Sequence, residues 1–215
     1  MILLASLCLF LFMTGIAFAA PVDKAAGLAQ SCVQNPGYFE QLTAADQSSV
    51  IAYLTPTTME YTVVDAKTGK TVSQATVPVA SSQTIMPMSS GYYQIDMGSS
   101  PWSVGFLCKV KNVWGVELCR MQENNTWSWN TVTGRINSTS CSGPYVNSFL
   151  GWTWVGVVSE SSSGWPSSSS YYFQHVVQGH FTLNVGGVPV NNTYPLIDFV
   201  DWADYPARIT WHCGA

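Results

Sequence analysis

Charge is scarce in this chain. Of its 215 residues only 9% are charged, with 8 basic side chains against 12 acidic ones and a formal charge of −4. An ordinary globular domain carries about 25% charged residues, so neutral polar groups must supply most of the solubility. The acidic balance argues against general nucleic-acid binding, and the 47% hydrophobic content argues against disorder. No two cysteines have Cys-x-x-Cys spacing, which removes the common zinc sites. His-Glu-x-x-His, Gly-x-Ser-x-Gly and Gly-x-Gly-x-x-Gly are also missing, so no metal, cofactor or catalytic residue is assigned from a motif. Beyond residue 19 no apolar run is long enough to span a bilayer.

What is present begins with an uncharged, apolar start from Met1 that closes on Ala17-Phe18-Ala19. This predicts a secretory signal peptide over 1–19 and a single secreted, extracellular domain over 20–215, with no stable membrane insertion. An oxidising destination favours disulfides. Cleavage leaves Cys32, Cys108, Cys119, Cys141 and Cys213, an odd number. The preferred pairs are Cys119 with Cys141, and Cys32 with Cys213 stapling the ends of the domain, which leaves Cys108 as a buried thiol. Three sequons, at Asn124, Asn137 and Asn191, predict N-glycosylation in turn-like stretches.

The body of the chain alternates with a period of two. A helix is expected from Thr43, where Thr-Ala-Ala-Asp has capping-box spacing, to a stop at Pro56, and Val22 to Ser31 reads as a short helix or a loose arm. Residues 58–79 read as a hairpin turning at Asp65-Ala66-Lys67-Thr68-Gly69. Further strands are expected around Tyr93–Met97, Val104–Val110, Trp114–Leu118, Thr126–Thr133, Trp152–Val158, Tyr171–Val177, Phe181–Val185 and Arg208–His212. A tight turn at Lys111-Asn112 would oppose Cys108 to Gly115 and put Cys119 on the face of Glu117. Together the pattern predicts an antiparallel β-sandwich or barrel of about 8–10 strands with a short N-terminal helix.

His175 and His180 flank an expected turn at Gln178-Gly179. A two-residue turn would set both imidazoles on one face as a metal or acid-base pair. A three-residue turn would put His175 in the core and His180 in the loop, and it buries more carbon. Asp198, Asp201 and Asp204 recur every third residue, as on the solvated edge of a short helix, without a calcium-loop pattern.

Aromatics are the informative excess: nine Trp, ten Tyr and nine Phe. Trp127 with Trp129, and Trp152 with Trp154, read as core ladders. Trp165 lies in the serine-rich stretch from Ser159 to Ser170, which reads as a flexible loop. With Tyr171 and Tyr172 it would form a flat plate for a sugar ring, an apolar protein pocket or an interface. The expected function is therefore a non-catalytic binding module for a glycan or an extracellular protein. Two alternatives are a lipocalin-like barrel carrying a small hydrophobic ligand, and a secreted hydrolase using His175, His180 or His212. The Gly-x-Trp signature of lipocalins is absent from the first strand region, and Cys141 lacks the preceding Tyr of immunoglobulin domains.

Overall fold

The computed structural model describes residues 22–79, 89–94, 100–165, 171–185, 188–204 and 207–214. The expected signal peptide, the end of the Tyr93–Met97 segment and Pro166–Ser170 lie outside these residues.

The helices form where local chemistry placed them. Residues 22–34 are a helix, α1. In α2 (Ala44–Leu54), the Thr43 hydroxyl accepts from the Asp46 N–H at 3.2 Å and donates to the Asp46 carboxylate at 2.9 Å. The first of these is the N-cap bond expected from the sequence; the Asp46 carboxylate bonds the Thr43 hydroxyl in place of the Thr43 N–H of a full capping box. Its C-terminal carbonyls are satisfied by the fold: Asn112 donates to Tyr53 O at 2.8 Å and the Trp152 indole to Leu54 O at 3.3 Å. These bonds, with buried Val50, Tyr53 and Leu54, dock α2 against the sheets.

The strands are β1 (Thr58–Asp65), β2 (Thr71–Pro78), β3 (Ser89–Gln94), β4 (Trp102–Lys111), β5 (Glu117–Asn130), β6 (Arg135–Ser148), β7 (Trp152–Gly164), β8 (Tyr172–Val185), β9 (Val188–Thr193), β10 (Leu196–Trp202) and β11 (Arg208–Gly214). They make two antiparallel sheets, as a sandwich does. One has the order β2-β1-β4-β5-β6; the other has the order β3-β11-β10-β8-β7, with β9 also paired to β8. The β1–β2 hairpin closes as expected: Asp65 accepts from the N–H groups of Lys67 and Thr68, and Gly69 takes a positive φ of 70°.

Between the sheets the Phe106 and Phe199 rings stack at 4.4 Å and 6°. Trp127, Trp129 and Trp152 are buried, so the tryptophan ladders are core. Gly179 lets the layers approach: a Cβ there would lie 2.7 Å from Met121 Sδ and 2.6 Å from the Trp154 ring.

Several local expectations are corrected by pairing. There is no turn at Gln178-Gly179, because β8 runs unbroken with alternating burial and pairs β10 along its first half and β9 along its second. The serine-rich stretch is not a loop up to residue 164: β7 continues through it, with Ser162 opposite His175 and Gly164 opposite Phe173. Asp198 and Asp201 lie on strand β10, and the alternation of a strand puts them on opposite faces. Residues 112–116 form a loop around Asn112, whose side chain accepts from the N–H groups of Trp114 and Val116. The longer loop sets Cys108 opposite Met121 and turns Cys119 into the core opposite Val110.

The same register excludes the expected Cys119–Cys141 bond. On β5–β6, Cys119 faces Ser148 and Cys141 faces Asn125. Six strand residues separate those positions, about 20 Å, whereas bridged Cα atoms lie within about 7 Å. Cys32 is a buried thiol, so the expected staple to Cys213, whose side chain lies outside the described residues, is not formed.

Candidate functional site

The outer face of the second sheet carries a cluster of aromatic side chains, of which Tyr171 is exposed and Tyr172 and Trp202 are half-buried. Strand pairing puts Tyr172, Trp202 and Arg208 in one row across β8, β10 and β11. The Trp202 ring lies 5.7 Å from Tyr172 and 6.5 Å from Tyr171, nearly parallel to the latter at 28°. Arg208 sits over the indole, 4.8 Å from its centroid, and is held there by a 2.6 Å ion pair with Asp204. The indole N–H is satisfied by Thr210 at 3.0 Å, which fixes the ring plane. Tyr171 is 50% exposed.

The next rows of the same face are polar. Gln174 and Thr210 flank Val200, and Asp198 is paired with His212. Gln174 donates to Asp198 at 3.0 Å, while His212 Nδ1 stands 3.6 Å from the other Asp198 oxygen. Beyond Tyr171 the surface falls into an open groove of about 390 Å³, walled by Thr131–Arg135, Ala203 and Asp204. A flat ring with polar groups alongside can take the C–H face of a pyranose and bond its hydroxyls.

Of the expected plate, Tyr171 and Tyr172 are on this surface. Trp165 is half-buried and packs against the core, with its backbone N–H donating to Tyr172 O at 3.1 Å. Its place is taken by Trp202, which sequence reasoning missed. The signal was there: Trp202 and Asp198 have the same parity in a run that alternates with core residues.

A second cluster lies between the sheets. Buried polar residues are few among the described residues, and Glu123, Asn125, His175 and Asp201 are gathered here. Asn125 donates to Asp201 and accepts from Thr139 at 3.1 Å and from the Cys141 thiol at 3.7 Å. Burial pushes the Asp201 carboxyl well above its ordinary range. Burial, with the nearby Glu160 charge, raises Glu123 to about 7. Burial with the charges of Asp201, Glu123 and Glu160 raises Cys141 to about 12. Gly143 makes room for the Glu123 carboxyl, since a Cβ there would stand 2.7 Å from its oxygen.

His175 belongs to the same layer. Its Nδ1 bonds the Ser162 hydroxyl at 2.9 Å, and Glu160 is 3.9 Å from Nε2. Burial lowers its pKa against the opposing pull of Glu160 and Asp198, which favours the neutral ring. The histidines do not converge. His175 faces inward, His180 on the opposite face of β8 stacks on Tyr194 and bonds Asn192, and His212 lies on β11. No described group of three or more His, Cys, Asp and Glu side chains could hold a metal ion.

Of the sequon residues, Asn137 is exposed on β6, while Asn124 and Asn191 are half-buried on β5 and β9. No described helix is long and apolar enough to cross a membrane. Comparison of the chain with protein-family models, with curated proteins and with solved structures finds no match.

Proposed function

We propose that this chain is an exported glycoprotein that binds carbohydrate, without chemistry, on the outer face of its second sheet. The observation that carries the reading is the row Tyr172–Trp202–Arg208 with Tyr171 beside it. The Tyr171 and Trp202 rings, nearly parallel at 28°, offer ring surface for the apolar face of a sugar. Gln174, Asp198, Thr210 and the Arg208–Asp204 pair supply planar and hydroxyl groups at the spacing of strand rows, about 7 Å apart. That interleaving of plate and polar groups favours a glycan over a protein, whose hot spots are desolvated pockets surrounded by an excluding ring.

The test is retention on insoluble polysaccharides followed by calorimetric titration with soluble oligosaccharides. Trp202→Ala and Tyr171→Ala each weaken binding about tenfold or more, a loss of about 1.4 kcal/mol, with little change in melting temperature for Tyr171→Ala. Retention that survives both substitutions refutes the site, and capture of extracellular proteins with no polysaccharide bound refutes the ligand class.

A further inference from the structure

At the far end of β8 a groove of about 450 Å³ opens between α2 and the β8–β9 edge. Val50, Ile51 and Leu54 line one side, Leu183, Val185 and Val190 the other, and Phe39 closes it. It is an apolar hollow whose rim residues Ile51 and Val190 are each 56% exposed. Left bare, such a hollow is an unfavourable surface for an exported protein.

Asn191 lines this hollow. Strand pairing sets it opposite Leu183, so it shares the face that looks toward α2. It is also the acceptor position of the triplet Asn191-Asn192-Thr193. Its side-chain oxygen accepts from the Asn192 N–H at 2.8 Å, and the side-chain nitrogen is the atom a glycan would join.

From this we infer that the groove under α2 is the seat of an N-linked glycan on Asn191, whose first sugars lie against Phe39, Ile51 and Val190 as part of the folded structure. The donor is a lipid-diphosphate-linked oligosaccharide. The Asn191 amide nitrogen forms the bond to C1 of the reducing-end sugar, the C1–O bond to the diphosphate breaks, the lipid diphosphate leaves with the electron pair, and the amide gives up one proton. The acetamido-sugar then presents its C–H face to the apolar wall, while Glu40 and Thr55, which also line the hollow, meet its polar edge.

The inference rests on the export reading, and the exposed Asn137 separates the two. The full chain is secreted from a eukaryotic host and site occupancy is read by mass spectrometry. The apolar dye anilinonaphthalene sulfonate probes the groove in wild type, Asn191→Gln and Asn137→Gln. The expected result is sugar on both sites, with dye fluorescence several-fold higher and melting temperature a few degrees lower in Asn191→Gln only. Native protein trimmed enzymatically to one sugar per site keeps the low dye signal, and native protein stripped of all N-linked sugar gains it, which serves if Asn191→Gln fails to fold. Sugar on Asn137 but not on Asn191 overturns the inference and leaves export standing. Equal dye uptake with and without the Asn191 glycan also overturns it, making the groove a small-molecule pocket. Sugar on no site of the secreted chain overturns the glycoprotein reading and the inference together, and retention of the unmodified chain inside the cell overturns export as well.

Discussion

The side-chain amide of Asn125 on β5 donates to the carboxyl of Asp201 on β10, joining the two layers of the sandwich by a hydrogen bond inside the core. Both residues are buried, and Asn125 is also the acceptor for Thr139 and Cys141. Loss of the amide therefore strands several polar groups at once. Asn125→Ala is expected to destabilise by about 2–3 kcal/mol, read as a lower urea midpoint at pH 5. Asp201→Asn, which keeps a polar group of the same shape, costs less than about 1 kcal/mol at that pH.

Glu123 gives the fold a pH dependence. Its native pKa, about 7, lies above the ordinary carboxylate value of 4.5, because burial and the Glu160 charge oppose ionisation. The native state thus holds its proton longer than the unfolded chain. The stability this confers is complete below about pH 4.5, declines as pH rises through about 7, and is gone above it. The charge that acts on this carboxyl is that of Glu160 on β7, which adds to the burial penalty; the base in the same layer, His175, faces Glu160 and is itself held toward its neutral form by burial. A difference of this size corresponds to about 3 kcal/mol. Urea unfolding at pH 5 and pH 8 is expected to show wild type losing stability across that interval, and Glu123→Gln losing about 3 kcal/mol less.

The outer-face row predicts a division of labour. Arg208→Met keeps apolar contact with the indole but removes the cation and its pair with Asp204. Carbohydrate affinity is expected to fall severalfold with melting temperature nearly unchanged, since the pair is partly exposed and such pairs contribute about 0–1 kcal/mol. Trp165→Ala, by contrast, removes a ring packed on the core, and is expected to lower melting temperature.

The thiols supply an independent check. Cys119 is buried and its pKa is raised by burial first and by Cys108 and Glu117 second; Cys141 is raised to about 12. Thiolate is the reactive form. Iodoacetamide at pH 8 is expected to leave Cys32, Cys119 and Cys141 unmodified in native protein and to alkylate all three in denaturant without a reductant. A mass for a Cys119–Cys141 bridged peptide would contradict the strand register.

Thr43→Ala removes both bonds between the Thr43 hydroxyl and Asp46 at the start of α2. It is expected to cost about 1 kcal/mol, visible as a melting temperature lower by a few degrees, with carbohydrate binding unchanged because α2 lies away from the aromatic row.

Much of the architecture was legible in the residue order. The Asp65–Gly69 turn, the capped helix ending before Pro56, and the burial of Trp127, Trp129 and Trp152 all follow from contacts within a few residues or from alternation along one strand. What misled was punctuation. Gln178-Gly179 resembles a turn, and Ser159–Gly164 resembles a linker, yet both lie in strands because neighbours on either side complete their ladders.

Chain order settled which residues share a face wherever a strand runs without a bulge, as along β8, since a pleat allows only two directions; at Cys119, beside a bulge, it did not. Partnership across strands was decided by the packed sandwich: Trp202 beside Tyr172 and Arg208, Cys141 remote from Cys119, and Asn125 against Asp201. Those neighbours come from strands far apart in the sequence, and their register is selected by the joint burial of two sheets. Local alternation contains no measure of that choice.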